Sequence, residues 1–384
     1  MCGSYLIMKS FVPPFPIYVN DTIVVSSVGL CAETTAASLR AGISRPEIID
    51  GFAESTEDGE EEITGYPVKL LTHGFEGAGR YIQLLCDGFE QVRKKILAMT
   101  ESDHHKNNSD EIFLLMGVPD IKRYLQTDKP DEALDENPFQ FYNKGWNETV
   151  NIALSQSGLM ELISGYKIIP VSPSSSGDLL EQGTVLLRQK PKALVITGFV
   201  DSLTDFAGLS WLNNMGRLKS ANNPVGLMPG EAISLLFLNA FAEQGAVEVD
   251  SIGQTTEKNG FYSEEQPEGK AFSQLLVEYD TQHPSVNVGE FWCINNLTGE
   301  ERFAMEWGRA LYHYQSDTKT EPNPDVWIPN ISLGEVGICF LPIAISWAHF
   351  AFKRKYALSS SCAIAVFCYT NARTLISIKG TVNG

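Results

Sequence analysis

Positive charge is scarce in this chain. Against 47 Asp and Glu stand only 29 Lys and Arg, a formal net charge of −18 over 384 residues. A nucleic-acid binder needs a basic footprint, and anionic membranes and acidic carrier proteins attract the same kind of surface. None of the three is expected as a partner unless a local basic patch survives. The sequence also lacks an apolar run of the ~18–20 residues that cross a bilayer. The stretch from Met1 to Pro16 carries Lys9 and three prolines within its apolar run, which does not fit a cleavable signal peptide.

Cysteine pairs are missing too. The seven cysteines (Cys2, Cys31, Cys86, Cys293, Cys339, Cys362 and Cys368) are odd in number and scattered, with no C-x-x-C. Neither a disulfide framework nor a zinc site is predicted, and a reducing cytoplasm is the expected location. The six histidines form no H-E-x-x-H, so no metal is predicted, and no cofactor either. Gly74-x-x-Gly77-x-Gly79 has no clear strand before it and no Lys after it, which argues against a phosphate loop. There is no G-x-S-x-G turn to present a serine nucleophile.

What is present is ordinary globular composition, 43% hydrophobic and 20% charged. The length suits two α/β halves of roughly 150–200 residues, or one large doubled domain. Short β-branched runs alternate with segments of helical period. Strands are predicted at Thr22–Ser27, Ile112–Leu115, Tyr166–Val171, Ala193–Thr197 and Ile233–Leu238. Helices are predicted to Leu39, over Phe75–Met99, from about Asn147 to Ser164, and to about Arg188, with an acidic solvated loop at Glu54–Glu62. The order then repeats. Strands fall near Ala246–Ser251, Glu290–Ile294, Val326–Ile328, Ala363–Phe367 and Thr374–Ile378, and helices over Gly269–Asp280, Glu301–Tyr314 and Glu335–Lys353. Each half reads β-α-β-α-β-α-β-β. The division is placed near Ala242–Gly245, giving an N-terminal half 1–245 and a C-terminal half 246–384.

Four segments give this doubled pattern a relative. They are Thr22–Gly42, ending in LRAG; Val195–Asp201 (VITGFVD); Met228–Leu236 (MPGEAISLL); and the short runs Ser332–Gly334 and Thr370–Ala372. In order and spacing, over about residues 20 to 380, they resemble the thiolase-like superfamily, most nearly its β-ketoacyl-acyl-carrier-protein synthase branch. The resemblance implies an α/β fold of two duplicated βαβαβαββ halves in a five-layer αβαβα arrangement.

That family condenses acyl groups with a cysteine at the N-terminus of a buried helix, where the helix dipole lowers the thiol pKa, and with two histidines. In register, Ser174, Ser175 and Ser176 match the hydroxyl run after the nucleophile, and Gly198 falls in the glycine turn. The nucleophile position is then Pro173, which offers neither a side-chain nucleophile nor an N–H. The first histidine motif becomes Asn296-Leu297-Thr298-Gly299-Glu300, with Asn296 for His. In the second, Asn330 stands for Lys and Glu335 for His. Ser174, Gly198, Cys368 and Asn371 are expected around a vestigial pocket. The three serines are read as capping a helix, and Cys368 as a small buried hydrophobe.

The resemblance therefore implies a catalytically inactive synthase-like protein that serves as a binding scaffold, such as the degenerate accessory chaperones found beside type VI secretion effectors, which hold an effector's adaptor. Two alternatives stay open: a divergent condensing enzyme or acyltransferase with a relocated nucleophile, and an acyl-chain binder or chain-length partner of an active synthase. Family members pair the strand before the nucleophile helix across a two-fold axis. Here that strand carries Tyr166, Ile168 and Ile169, and a homodimer is expected ahead of a heterodimer with a related chain.

Overall fold

In the computed structural model, residues 9–56, 59–101, 111–120, 136–283 and 290–381 are described. The first stretch of the chain runs β1 (Lys9–Phe11), β2 (Tyr18–Ser26), α1 (Ala32–Arg40), β3 (Glu47–Thr56), β4 (Gly59–Gly65), α2 (Lys69–Thr72) and α3 (Gly77–Glu101). Then come β5 (Ile112–Pro119), α4 (Glu136–Ser157), β6 (Gly165–Val171), α5 (Gly177–Gln189), β7 (Leu194–Ser202), α6 (Phe206–Asn214) and β8 (Glu231–Asn239). The rest is β9 (Val247–Thr256), α7 (Lys270–Gln282), β10 (Trp292–Asn295), α8 (Glu301–Thr318), β11 (Asp325–Trp327), α9 (Asn330–Leu333), α10 (Phe340–Lys353), β12 (Ser361–Val366) and β13 (Ala372–Gly380).

All nine residues of β7 are buried, as are all six of β12. Strands apolar on both faces must be covered on both faces, which requires helices above and below the sheet. The strand order is β6-β5-β7-β8-β2 in the first half and β11-β10-β12-β13-β9 in the second. Numbered within each half, both orders read third, second, fourth, fifth, first. The directions match as well: β5 is parallel to β6 and β7, and β8 antiparallel to β7 and β2, just as β10 is parallel to β11 and β12, and β13 antiparallel to β12 and β9. The duplication read in the sequence is therefore a duplication of sheet topology. A two-residue pairing, Tyr18↔Glu248 and Val19↔Val247, joins the two sheets into one of eleven strands, with β1 on β9.

Three apolar clusters fill the layers. The central one takes Ala32, Leu179 and Ile345 from α1, α5 and α10, and packs them against Val24 and Leu236 of one sheet and Ile364 and Ile376 of the other. Every residue of α10 from Phe340 to Ala351 is buried, including His349. An outer cluster holds α3 and α4 on the first sheet, through one face of α3: Tyr81, Leu84, Leu85, Phe89, Val92 and Ile96. Another holds α7 and α8 on the second sheet.

Four expectations need correction. Residues 335–339 are not helical: Glu335 forms a β-bridge with Pro229, a 3-10 turn follows at Gly337–Cys339, and the helix begins at Phe340. The acidic stretch at 54–62 is the end of a hairpin, with Glu54↔Glu61 and Ser55↔Glu60 in register. Glu60 and Glu62 are exposed and Glu54 and Glu61 half-buried, while Ile49 and Ile63 pack with Leu209, Trp211 and Leu212 of α6, a helix the pattern reading did not find. The helix expected from Asn147 starts at Glu136 and stops at Ser157, where Gly158 takes φ 70°. Ser174–Ser176 do not cap α5: Ser175 Oγ accepts from Ser172 N at 2.8 Å and Ser176 Oγ donates to Pro173 O, closing the turn before the helix. The sequence also predicts a polar linker at Thr100–Asp110 and a charged loop at Gln126–Asn137; most of both lies outside the described residues.

Candidate functional site

Pro173 follows β6 in the turn 172–176, where Ser175 N donates to Ser172 O at 3.1 Å and Ser176 N to Pro173 O at 3.4 Å. The prolyl ring is buried, and it lines a small cavity of about 20 Å³ together with Arg217, Asn296, Glu335, Phe367 and Cys368. The three positions aligned from weak motifs, at 173, 296 and 335, thus come from three separate segments to one place. Of the residues expected around it, Cys368 is there. Ser174, Gly198 and Asn371 are not. Ser174 turns away, its carbonyl accepting from Thr374 Oγ1 at 2.6 Å; Gly198 lies inside β7 against Met116 and Leu235; Asn371 is exposed beyond the cavity.

Asn296 follows the C-terminal end of β10. Its Nδ2 donates to Phe367 O at 2.9 Å and its Oδ1 accepts from Phe367 N at 2.7 Å. The side-chain amide thereby acts as an extra peptide unit, continuing the β10–β12 ladder by one rung.

Glu335 is placed by two glycines. Gly334 takes φ 67°, a region that favours glycine. A Cβ on Gly230 would meet Leu333 O at 2.2 Å, so the bare backbone there lets Gly230 N donate to Glu335 O at 2.9 Å. The Glu335 carboxyl accepts from Gly337 N at 2.8 Å and from Asn330 Nδ2 at 3.1 Å. Burial pushes its pKa up to about 7, while the Arg217 charge pulls the other way.

Arg217 was not foreseen. It donates to both oxygens of Glu300 at 2.8 Å, and its guanidinium lies 4.5 Å from the Phe261 ring centre. Burial raises the Tyr262 phenol, opposed by Arg217, so the cation's influence extends across this wall. No sequence motif announces the pair, because the partners lie 83 residues apart.

The cavity lining contains no imidazole. The described histidines sit elsewhere: His349 is sealed inside α10, and His283 binds Asp250 and Ser377 at 3.0 Å on the far side of the second sheet. Among the described residues no group of three His, Cys, Asp or Glu could hold a metal ion, and no helix is long and apolar enough to cross a membrane.

No protein-family profile matches the chain, and no curated protein matches it. Solved structures do. The AntDE:AntF assembly, a type II polyketide synthase acyl-carrier protein in complex with its ketosynthase bound to the hexaketide, matches at TM-score 0.67 and 11% identity, over 95% of this chain and 99% of that one. The ketosynthase ApeO in complex with its chain length factor ApeC, from Xenorhabdus doucetiae, matches at 0.62 and 12%, over 96% and 98%. The oxazolomycin ketosynthase domain of Streptomyces albus matches at 0.65 and 11%, over 96% and 76%.

The fold is thiolase-like, of the ketosynthase kind. The likeness covers 95% or more of the chain and so runs through both halves. At identities near one residue in nine, the likeness concerns the fold alone.

Proposed function

We propose that this chain is a synthase-like protein that works by binding and does not condense acyl groups. The observation that carries this is the content of the Pro173 cavity: an imino acid, a carboxamide and a carboxyl where the thiolate and two imidazoles of the resembling family are expected. Carrying an acyl chain needs a nucleophile, and decarboxylative condensation needs hydrogen-bond donors aimed at the developing oxyanion. Pro173 supplies neither. Asn296 has its amide committed to Phe367.

The chain's role is then that of a partner. Three of the similar structures hold a ketosynthase together with a chain length factor, which favours pairing of this chain with a second thiolase-like subunit, itself or a related chain, along β6. A scaffold that holds an effector's adaptor, as the sequence resemblance implies, is the narrower form of the same reading. The overall charge of −18 argues against receiving substrates on an acidic carrier.

Cys368 supports the competing reading of a relocated nucleophile, since its thiol shares the cavity with Arg217. Intact-mass spectrometry after incubation with acetyl-CoA, malonyl-CoA and a cerulenin-type epoxide separates the two. The scaffold reading expects an unmodified mass with all three. A stable acyl adduct mapping to Cys368 would replace it with the enzymatic one.

A further inference from the structure

A second cavity, of about 120 Å³, lies on the other side of Glu335, lined by Tyr66, Lys219, Met228, Thr298, Asn330 and Glu335 among others. We infer that it binds a small zwitterion, the ammonium on Glu335 and the anionic end on Lys219. The inference holds whether or not the chain turns over acyl groups.

Charge around Glu335 is unbalanced. Asp201 and Glu300 are buried and both act on buried Glu335, and the cation that opposes them there is Arg217. Its Nε and Nη2 are both given to Glu300. Glu335 is 8% exposed and receives hydrogen bonds only from neutral donors, Gly337 N and Asn330 Nδ2. A buried carboxylate without a cation in contact either takes up a proton or draws in a positive group. The cavity gives a positive group room to approach.

Asn330 adds an acceptor on the same wall. It is 6% exposed, its Nδ2 is shared between Glu335 Oε2 and Asn296 O, and its Oδ1 has no hydrogen-bond partner. Thr298 contributes a hydroxyl, though its proton already goes to Glu300 Oε2 at 2.8 Å. The inner wall is thus rich in acceptors.

The opposite charge stands on Lys219. It is exposed, and among the described residues no carboxylate lies within 4.0 Å of its ammonium. Many of the chain's other lysines sit in ion pairs, among them Lys69, Lys94, Lys95, Lys190, Lys258, Lys270 and Lys379. An open cation and a buried anion on one small cavity select a small molecule bearing both charges. A metal ion does not fit, because Glu335 has no second carboxylate, thiol or imidazole placed to share a cation with it.

The test is isothermal titration calorimetry on the full chain at pH 7 with 4-aminobutyrate, 6-aminohexanoate, hexylamine and hexanoate. At least one of the two zwitterions should bind with a submillimolar Kd, and hexylamine and hexanoate about tenfold more weakly or worse. Binding of an ammonium ionises Glu335, so the observed heat should differ between buffers of different ionisation enthalpy, reporting proton release. Glu335→Gln should abolish that buffer dependence and weaken the zwitterion about tenfold or more. Lys219→Ala, at an exposed position that folding does not need, should reduce the zwitterion to the affinity of hexylamine and leave hexylamine unchanged. Absence of heat with all four probes overturns the inference. So does unchanged zwitterion affinity in Lys219→Ala, or in a Glu335→Gln protein that unfolds as cooperatively as the parent.

Discussion

Arg217 and Glu300 meet through two parallel hydrogen bonds of 2.8 Å, Nε to Oε1 and Nη2 to Oε2, with both side chains under a tenth exposed. The pair ties the loop after α6 to the start of α8. Burying two charges gains little over an apolar pair, but removing one partner strands the other. Arg217→Ala should therefore lower stability by about 3–5 kcal/mol. The double variant Arg217→Met with Glu300→Leu should recover much of that loss. Urea midpoints of the three proteins decide it, and a double variant as unstable as the single would contradict the account.

Two buried groups should tilt the pH dependence of stability in opposite directions. The Glu335 pKa rises to about 7, chiefly by burial, so between the unfolded carboxyl range and pH 7 the folded chain holds a proton that the unfolded chain releases. Its contribution is present at low pH and lost as pH rises through 7. His349 is pushed down to about 4, again chiefly by burial, with Lys353 adding to it. There the unfolded chain binds the extra proton, and stability is lost as pH falls from the ordinary imidazole range toward 4. Glu335→Gln should gain stability over the parent at pH 8 and show no gain at pH 5, while His349→Leu should gain at pH 5 and not at pH 8. Each gain should be on the order of 2–3 kcal/mol. Denaturant unfolding at the two pH values measures both; parallel profiles for all three proteins would contradict the assignments.

Gly230 is held by contact. A methyl group there would sit 2.2 Å from Leu333 O, a backbone atom that cannot swing aside. Gly230→Ala should break the hydrogen bond from Gly230 N to Glu335 O and cost on the order of 2–3 kcal/mol, read as a lowered Tm. A substitution at Gly216, where added atoms meet open space but φ is 61°, should show only the smaller cost of the strained backbone.

The edge strand β6 carries the proposed pairing. Among the described residues it ends the sheet; Tyr166 is 39% exposed, and Ile168 and Ile169 are half-buried with no described strand beyond them. Ile168→Lys places a charge on that apolar edge and should halve the mass measured by light scattering after gel filtration. A wild-type protein that already elutes as a monomer, or a variant that keeps the parent's mass, would remove β6 as an interface.

The strands of both halves were legible because buried strands must be apolar on both faces. β7 and β8 read as strands from residues such as Val195, Ile196 and Ile233 alone. The hairpin β3–β4 was hidden, since its acids outnumber the inward Ile49 and Ile63 that anchor it. Glu335 was misread as helical because the apolar run of α10 begins five residues later, and a bridge to Pro229 leaves no periodic trace. The meeting of Pro173, Asn296 and Glu335 followed from motif order. Arg217–Glu300 and the cavity beside Lys219 did not, because contacts so distant along the chain have no local pattern.

Asn296 has a consequence for any effort to install condensing chemistry. Its carboxamide copies a backbone amide, closing a two-bond seam between the segment after β10 and Phe367. The donor and acceptor nitrogens of an imidazole point away from each other, so it cannot meet both the N–H and the C=O of Phe367 at once. Exchanging Asn296 for histidine would open this seam before any reaction became available, so protein engineered toward catalysis must first be stabilised elsewhere.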